Sequence, residues 1–171
     1  MDGYLLDTCV ISALLEEKHP FHDAVRDAVD KIEKGAPRYV SAITIAEIMF
    51  GALVDEALIG YRRQKIWDIL EKAQESQIRE ITRHTRREYS ELRKNLAVTH
   101  LHNVLRSQRS RWVDHWHSKI TGDKLRIEEN DLWICAQALE LNLILITTDR
   151  KMYDAVGPAD PRVRFILVAK K

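Results

Sequence analysis

Residues 130–149, NDLWICAQALELNLILITTD, decide the fold. The first part, NDLWICAQALEL at 130–141, has the apolar spacing of a helix, with Asn130 in the position of a cap. LILIT at 143–147 then runs without a polar interruption and is rich in leucine and β-branched residues. A strand of that composition is buried on both faces, which is the situation of a strand inside a parallel sheet covered by helices.

The pattern repeats outward from this stretch. Residues 3–7, GYLLD, read as a short buried strand, followed by the helical TCVISALLEE. The His19-Pro20 step ends that helix, because proline disfavours helical geometry in the residue before it. Phe21, Val25, Val29 and Ile32 give the spacing of a second helix, stopped near Gly35. RYVSA at 38–42 predicts another strand. TIAEIMFGAL after it predicts a buried helix capped by Ser41 or Thr44, with Ile45, Ile48, Met49 and Leu53 inside. An amphipathic helix is expected over 60–76, and Ile78 and Ile81 flank a short strand. A basic helix follows from Thr82 to about Leu96, then a segment at 97–126 whose Leu101, Val104, Leu105, Trp112 and Trp116 suggest further helix. Beyond Asp149 come a short helix near Lys151–Val156, a loop at Pro158 and Pro161, and a last strand at 163–168. Strands alternating with helices imply parallel βαβ units and an α/β sheet. We expect one domain over 1–171, with 97–126 as a basic helical insertion within it.

The formal net charge is only +1, but it is unevenly spread. Residues 82–126 hold 11 Lys/Arg against 4 Asp/Glu, a net of +7, so the remainder sums to −6. Such asymmetry favours an anionic partner. No apolar run is long enough for a bilayer, and the N-terminus lacks the pattern of a signal peptide. A reducing, cytoplasmic compartment is the expectation, with Cys9 and Cys135 as small buried hydrophobes. There is no Gly-rich nucleotide loop, no Ser-His-Asp order and no zinc motif. His115 and His117 are two apart and, on a helix, face different ways.

Four acids occupy telling positions. Asp7 ends the first strand, Asp131 lies in the first turn of its helix, and Asp149 lies two residues beyond LILIT. Glu47 sits inside an otherwise apolar helix, where a lone charge is costly. Ligands of open parallel sheets bind beyond the carboxyl ends of the strands. Two unit charges about 4 Å apart repel by roughly 4 kcal/mol at an effective dielectric of 20, so four gathered carboxylates call for a cation. All-oxygen ligands suit Mg2+ or Mn2+, and such a centre suits phosphoryl chemistry. Thr8 and Thr147 are placed to orient a carboxylate or water.

LLDTCVIS around Asp7, SAITIAEIMFGAL around Glu47 and ENDLWICAQALELNLILITTD ending at Asp149 together resemble the PIN-domain nucleases, particularly the VapC-like toxins of toxin–antitoxin pairs. The resemblance implies a PIN-like, three-layer α/β/α fold with a central parallel sheet. It implies Mg2+- or Mn2+-dependent endoribonuclease activity, with Asp7, Glu47, Asp131 and Asp149 as metal ligands and Thr147 at the family's hydroxyl position. It also implies an RNA substrate, a small antitoxin partner and a homodimer, for which the apolar helix at 44–53 is one candidate face. The insertion is longer and more basic than in a minimal relative. Arg106, Arg109, Arg111 and Lys119, with Lys124 and Arg126, are candidate phosphate contacts. Trp112 and Trp116 are read as packing residues first and as base-stacking residues second. A non-catalytic RNA- or protein-binding module and a structure-specific DNA nuclease stay open as alternatives.

Overall fold

A computed structural model describes residues 2–170 except 34, 63, 65, 69, 71–76, 102, 103 and 120; the side chain of Arg106 also lies outside the description. Five strands form one parallel sheet: β1 (Tyr4–Leu6), β2 (Arg38–Ser41), β3 (Ile78–Arg79), β4 (Ile144–Thr147) and β5 (Arg164–Leu167). Their order across the sheet is β3-β2-β1-β4-β5. Between them run α1 (Thr8–Leu15), α2 (His22–Asp30), α3 (Ala42–Ile59), α4 (Arg83–Leu101), α5 (Glu129–Glu140) and α6 (Arg150–Ala159).

The central strand explains the layers. Leu5 stands opposite Tyr39 and Leu145, while Leu6 stands opposite Val40 and Ile146. Successive side chains on a strand point to opposite faces. Leu5 and Leu145 therefore join Leu92, Leu96, Leu132 and Met152 of α4, α5 and α6 in one core. Leu6 and Ile146 join Val10, Val25 and Val29 of α1 and α2 in the other. Both faces are covered, as the uninterrupted apolar run of β4 requires, and the fold is the expected three-layer α/β/α arrangement.

Several local expectations are corrected. Helix α3 is not buried all round: Ser41 caps it through Ile43 N–H at 3.0 Å, but it runs on to Ile59 and leaves Phe50, Leu53, Leu58 and Ile59 exposed. The segment 97–126 is not a helical insertion. Helix α4 continues to Leu101, and beyond it the described residues form two short 3-10 turns, Arg106–Gln108 and Val113–His115, and one bridge between His117 and Lys124. Polar side chains take backbone donors that a helix would use: Ser110 accepts from Trp112 N–H, Ser118 from Thr121 N–H and Thr121 from Asp123 N–H. Trp116 is only 3% exposed and anchors this segment to the core, with its indole N–H on the Ser110 carbonyl at 2.9 Å, while Trp112 is 51% exposed. Pro158 lies inside α6, in its last turn, where a missing N–H forfeits one helical bond only. Much of the expected helix over 60–76 falls outside the described residues; 64, 66–68 and 70 within it are helical.

Candidate functional site

Strands β1 and β4 are neighbours, so their carboxyl ends deliver Asp7 and the Thr147–Asp149 turn to one place. Asp7 is the N-cap of α1 and only 4% exposed. Its Oδ1 accepts the Thr8 N–H at 2.8 Å, and its Oδ2 accepts the fully buried Thr147 hydroxyl at 2.6 Å. Burial pushes the Asp7 carboxyl up; the bonds from Thr147, Cys9 and Thr8 oppose that, and the charge of Asp149 adds to it. Thr147 Oγ1 in turn accepts the Asp149 N–H at 2.9 Å, so one hydroxyl fixes two of the acids. Asp149 caps α6, its Oδ1 accepting from Lys151 N–H at 2.7 Å and Met152 N–H at 3.1 Å.

Asp131 arrives from α5. The N-cap there is Glu128, not Asn130, and Asp131 closes a capping box with its Oδ2 on the Glu128 N–H at 2.8 Å. Burial first, and the charges of Asp7, Asp149 and Glu128 after it, push Asp131 up to about 7, against the pull of the Glu128 N–H. Three carboxylates thus feel one another's charge. Glu47 joins less directly: its Oε2 accepts the Thr8 hydroxyl, which also lies 3.1 Å from Thr44 Oγ1, and its Oε1 accepts the Asn130 amide at 2.7 Å. The apolar sequence around Glu47 suggests burial; the side chain is instead half-buried, at the mouth of the site.

Two residues with site contacts were not among the expected ones. Asn130, read as a helix cap, holds Glu47. Cys9, read as a buried hydrophobe, has its Sγ 3.0 Å from Asp7 Oδ2. Burial and the Asp7 charge raise its thiol to about 11, so it stays protonated and donates. The signal for Asn130 was its place immediately before Asp131; nothing in the spacing of Cys9 distinguished it from a core thiol. Of the six candidate phosphate contacts, Arg111 stacks over Trp112 at 5.2 Å from its ring centroid, Arg109 lines a groove with Trp116, and Lys119, Lys124 and Arg126 are exposed. Arg106 falls outside the described side chains.

None of the four acids forms an ion pair among the described residues, and no group of three or more Asp, Glu, His or Cys side chains there is spaced to hold a metal ion as it stands. The donor set nevertheless fits a hard divalent cation in kind. All donors are oxygen, three of the carboxylates repel one another, and Asp131 Oδ1 and Asp149 Oδ2 accept no hydrogen bond among the described residues. A cation there would turn the repulsion into attraction, at the position where sheets of this kind bind ligands.

The family pattern of the PIN domain matches residues 4–157. No curated protein matches. Among solved structures the chain is similar to VapBC2 from Rickettsia felis bound to a DNA fragment from its promoter, at 17% identity and a TM-score of 0.65, covering 97% of this chain and 98% of that one. VapBC-1 from nontypeable Haemophilus influenzae is 21% identical with a TM-score of 0.62, covering 96% of each chain. FitAcB from Neisseria gonorrhoeae is 23% identical with a TM-score of 0.58, covering 95% of this chain and 96% of that one.

Proposed function

The chain belongs to the PIN-domain family, and from that premise we propose that it is a metal-dependent endoribonuclease, the toxin of a toxin–antitoxin pair, acting as one domain. Asp7, Glu47, Asp131 and Asp149 would hold Mg2+ or Mn2+. The observation that supports this best is the mutual charge of Asp7, Asp131 and Asp149, with Glu47 tied to them by Thr8 and Asn130.

A cation held by these four carboxylates would neutralise phosphate charge and lower the pKa of a water. The chain's own residues set the geometry. Thr147 holds Asp7 Oδ2 and the Asp149 backbone from one buried hydroxyl. Asn130 and Thr8 fix both oxygens of Glu47. The helix starts at Thr8, Glu129 and Arg150 aim N–H dipoles toward the acids, which supports anion binding alongside the cation. Asp131, pushed up to about 7, is about half-protonated at neutral pH, and a cation there would compete with that proton. The exposed Phe50, Leu53, Leu58 and Ile59 support a partner on α3, either a second copy of the chain or an antitoxin.

The test is a paired digest. Purified protein with Mn2+ or Mg2+ is expected to cut single-stranded RNA and to leave DNA of the same sequence intact. EDTA should stop cleavage, and Asp7→Asn should abolish it with the fold retained. Cleavage surviving in Asp7→Asn would refute the assigned role. Equal cutting of DNA would favour the DNA nuclease, and RNA binding without turnover in any divalent ion would favour the binding module.

A further inference from the structure

Two clefts are lined by basic residues of the 82–126 segment, and they differ in how many of their cations are already paired. The larger, about 760 Å³, runs along α4 and includes Arg93, Lys94 and Arg109 beside Trp116. Arg93 is committed there: its Nη1 donates to Glu129 at 2.6 Å and its Nη2 to the Arg111 carbonyl. Lys94 is paired with Glu91. Arg93 and Lys94 are thus taken up within the protein, which leaves Arg109, exposed and without an ion pair or hydrogen bond among the described residues, as the single uncommitted cation of this cleft against three in the next.

The second cleft, about 590 Å³, lies between the loop around 118–126 and α6, and Lys124, Arg126 and Lys151 line it. All three are exposed, and their side chains make no ion pair or hydrogen bond among the described residues. Two carboxylates share the cleft, but Arg150 already holds Asp154 through both oxygens at 2.9 Å, leaving Asp123 alone against three cations. Its walls are the two segments that deliver the catalytic acids. Lys151 follows Asp149 by two residues and donates its backbone N–H to that carboxylate. Arg126 precedes Glu128 by two residues, and the Glu128 N–H holds Asp131. The Arg126 backbone has φ 57°, a left-handed conformation that arginine rarely adopts, between half-buried Leu125 and fully buried Ile127. Ile127 is buried in the core and Leu125 packs against it, while Arg126 between them remains at the surface. His100 ties loop to helix: its ring meets the Ala155 carbonyl at 2.9 Å and its own carbonyl accepts the Lys119 N–H at 2.8 Å.

We propose that this cleft is a subsite for the phosphodiester backbone of the RNA strand, in which Lys124, Arg126 and Lys151 hold the phosphates adjoining the one to be cut. The identity of the ligand as RNA rests on the nuclease reading above. The three residues are positioning residues: they set register and affinity, while the acids act on the scissile phosphate.

The test measures binding of a fluorescent single-stranded RNA of about 16 nucleotides in EDTA, so that no cleavage intervenes, across a salt series. On single strands each phosphate contact contributes about 0.7 to the slope of log affinity against log salt. The triple variant Lys124→Ala, Arg126→Ala, Lys151→Ala is expected to lose about 2 from that slope. Between about 50 and about 200 mM salt the wild type should then lose roughly 18-fold more affinity than the variant. Lys151→Ala alone, on an exposed first turn, should give about a third of the change, and Lys94→Ala with Arg109→Ala should leave the slope near the wild-type value. In Mn2+ the triple variant should raise KM with kcat held within a few-fold. A wild-type slope in the triple variant, a larger loss in the Lys94/Arg109 pair, or no RNA binding by the wild type would each overturn the proposal; the first would point to an acidic segment of a protein partner in the cleft. Normal salt-dependent binding without turnover in any metal would sink the nuclease reading alone.

Discussion

At the scale of the residue, Asp131 concentrates the tension in the site. Its carboxyl is pushed up to about 7, by burial first and by neighbouring carboxylates after that. A carboxylate whose folded pKa exceeds its unfolded one makes the native state bind more protons between the two values. Stability then falls as pH rises from about 4 to about 7, and the full penalty stands above that. Asn in its place keeps an oxygen for the Glu128 N–H and removes the charge. We expect Asp131→Asn to stabilise the metal-free protein by about 1–3 kcal/mol at pH 8, to show a flatter stability curve between pH 5 and 8, and to be inactive. Urea melts in EDTA at the two ends of that range measure it; a variant less stable than wild type at pH 8 would show that the charge is not under strain. This pattern also explains what of the site was legible in sequence. Asp7, Asp131 and Asp149 stand at strand ends or helix starts, positions readable from hydrophobic period alone. Asn130 and Cys9 were not, because their roles depend on Glu47 and Asp7, side chains brought to them by the fold from 83 and 2 residues away respectively.

At the scale of the element, the helix ends bear both stability and geometry. Asp160 closes α6 with 2% exposure, accepts the Asn95 amide of α4 at 2.9 Å and takes the Arg162 guanidinium at 2.7 Å. The Arg162 bonds hold its carboxyl below the usual range, with help from the Arg162 N–H and Asn95 against burial. A depressed carboxylate contributes stability that is present above its unfolded value and lost as pH falls through the folded one. The wild type should therefore lose part of its stability below about pH 4, and Asp160→Asn should lose it at every pH, by about 1–3 kcal/mol, with a smaller acid dependence. Identical acid limbs for the two proteins would remove Asp160 from this account. Strand and helix order was readable wherever composition and period agree, as in LILIT, RYVS and the helix before LILIT. It failed at 104–126, where two tryptophans four apart imitate a helical stripe. There Ser110, Ser118 and Thr121 side chains take the backbone donors, a competition that hydrophobic period does not register. It failed at the far end of α3 too, where apolar residues past the core are exposed and burial cannot be inferred from hydrophobicity alone.

At the scale of the whole molecule, the two apolar layers on either face of the sheet support a carboxyl edge that is unfavourable on its own. Leu5 and Leu145 bind one layer and Leu6 and Ile146 the other, so β1 and β4 cannot separate to relieve the acids they carry. The relief available without unfolding is protonation or a cation. A ligand that binds the folded state alone, at about 100 times its dissociation constant, stabilises by about 2.7 kcal/mol. For a chain of this length about 1 kcal/mol moves the melting midpoint by 2–4 °C, so saturating Mn2+ should raise it by roughly 5–10 °C. Asp7→Asn and Asp131→Asn should begin with a higher midpoint than the metal-free wild type and gain little from Mn2+, because the charge that makes the site costly is the charge that binds the ion. Calorimetry with EDTA, Mn2+ and a monovalent salt of equal ionic strength separates site binding from general screening. If monovalent salt reproduced the Mn2+ shift, or if the two variants gained as much as the wild type, the carboxyl edge would not be a metal centre, and both the nuclease reading and its proposed ligands would fall together.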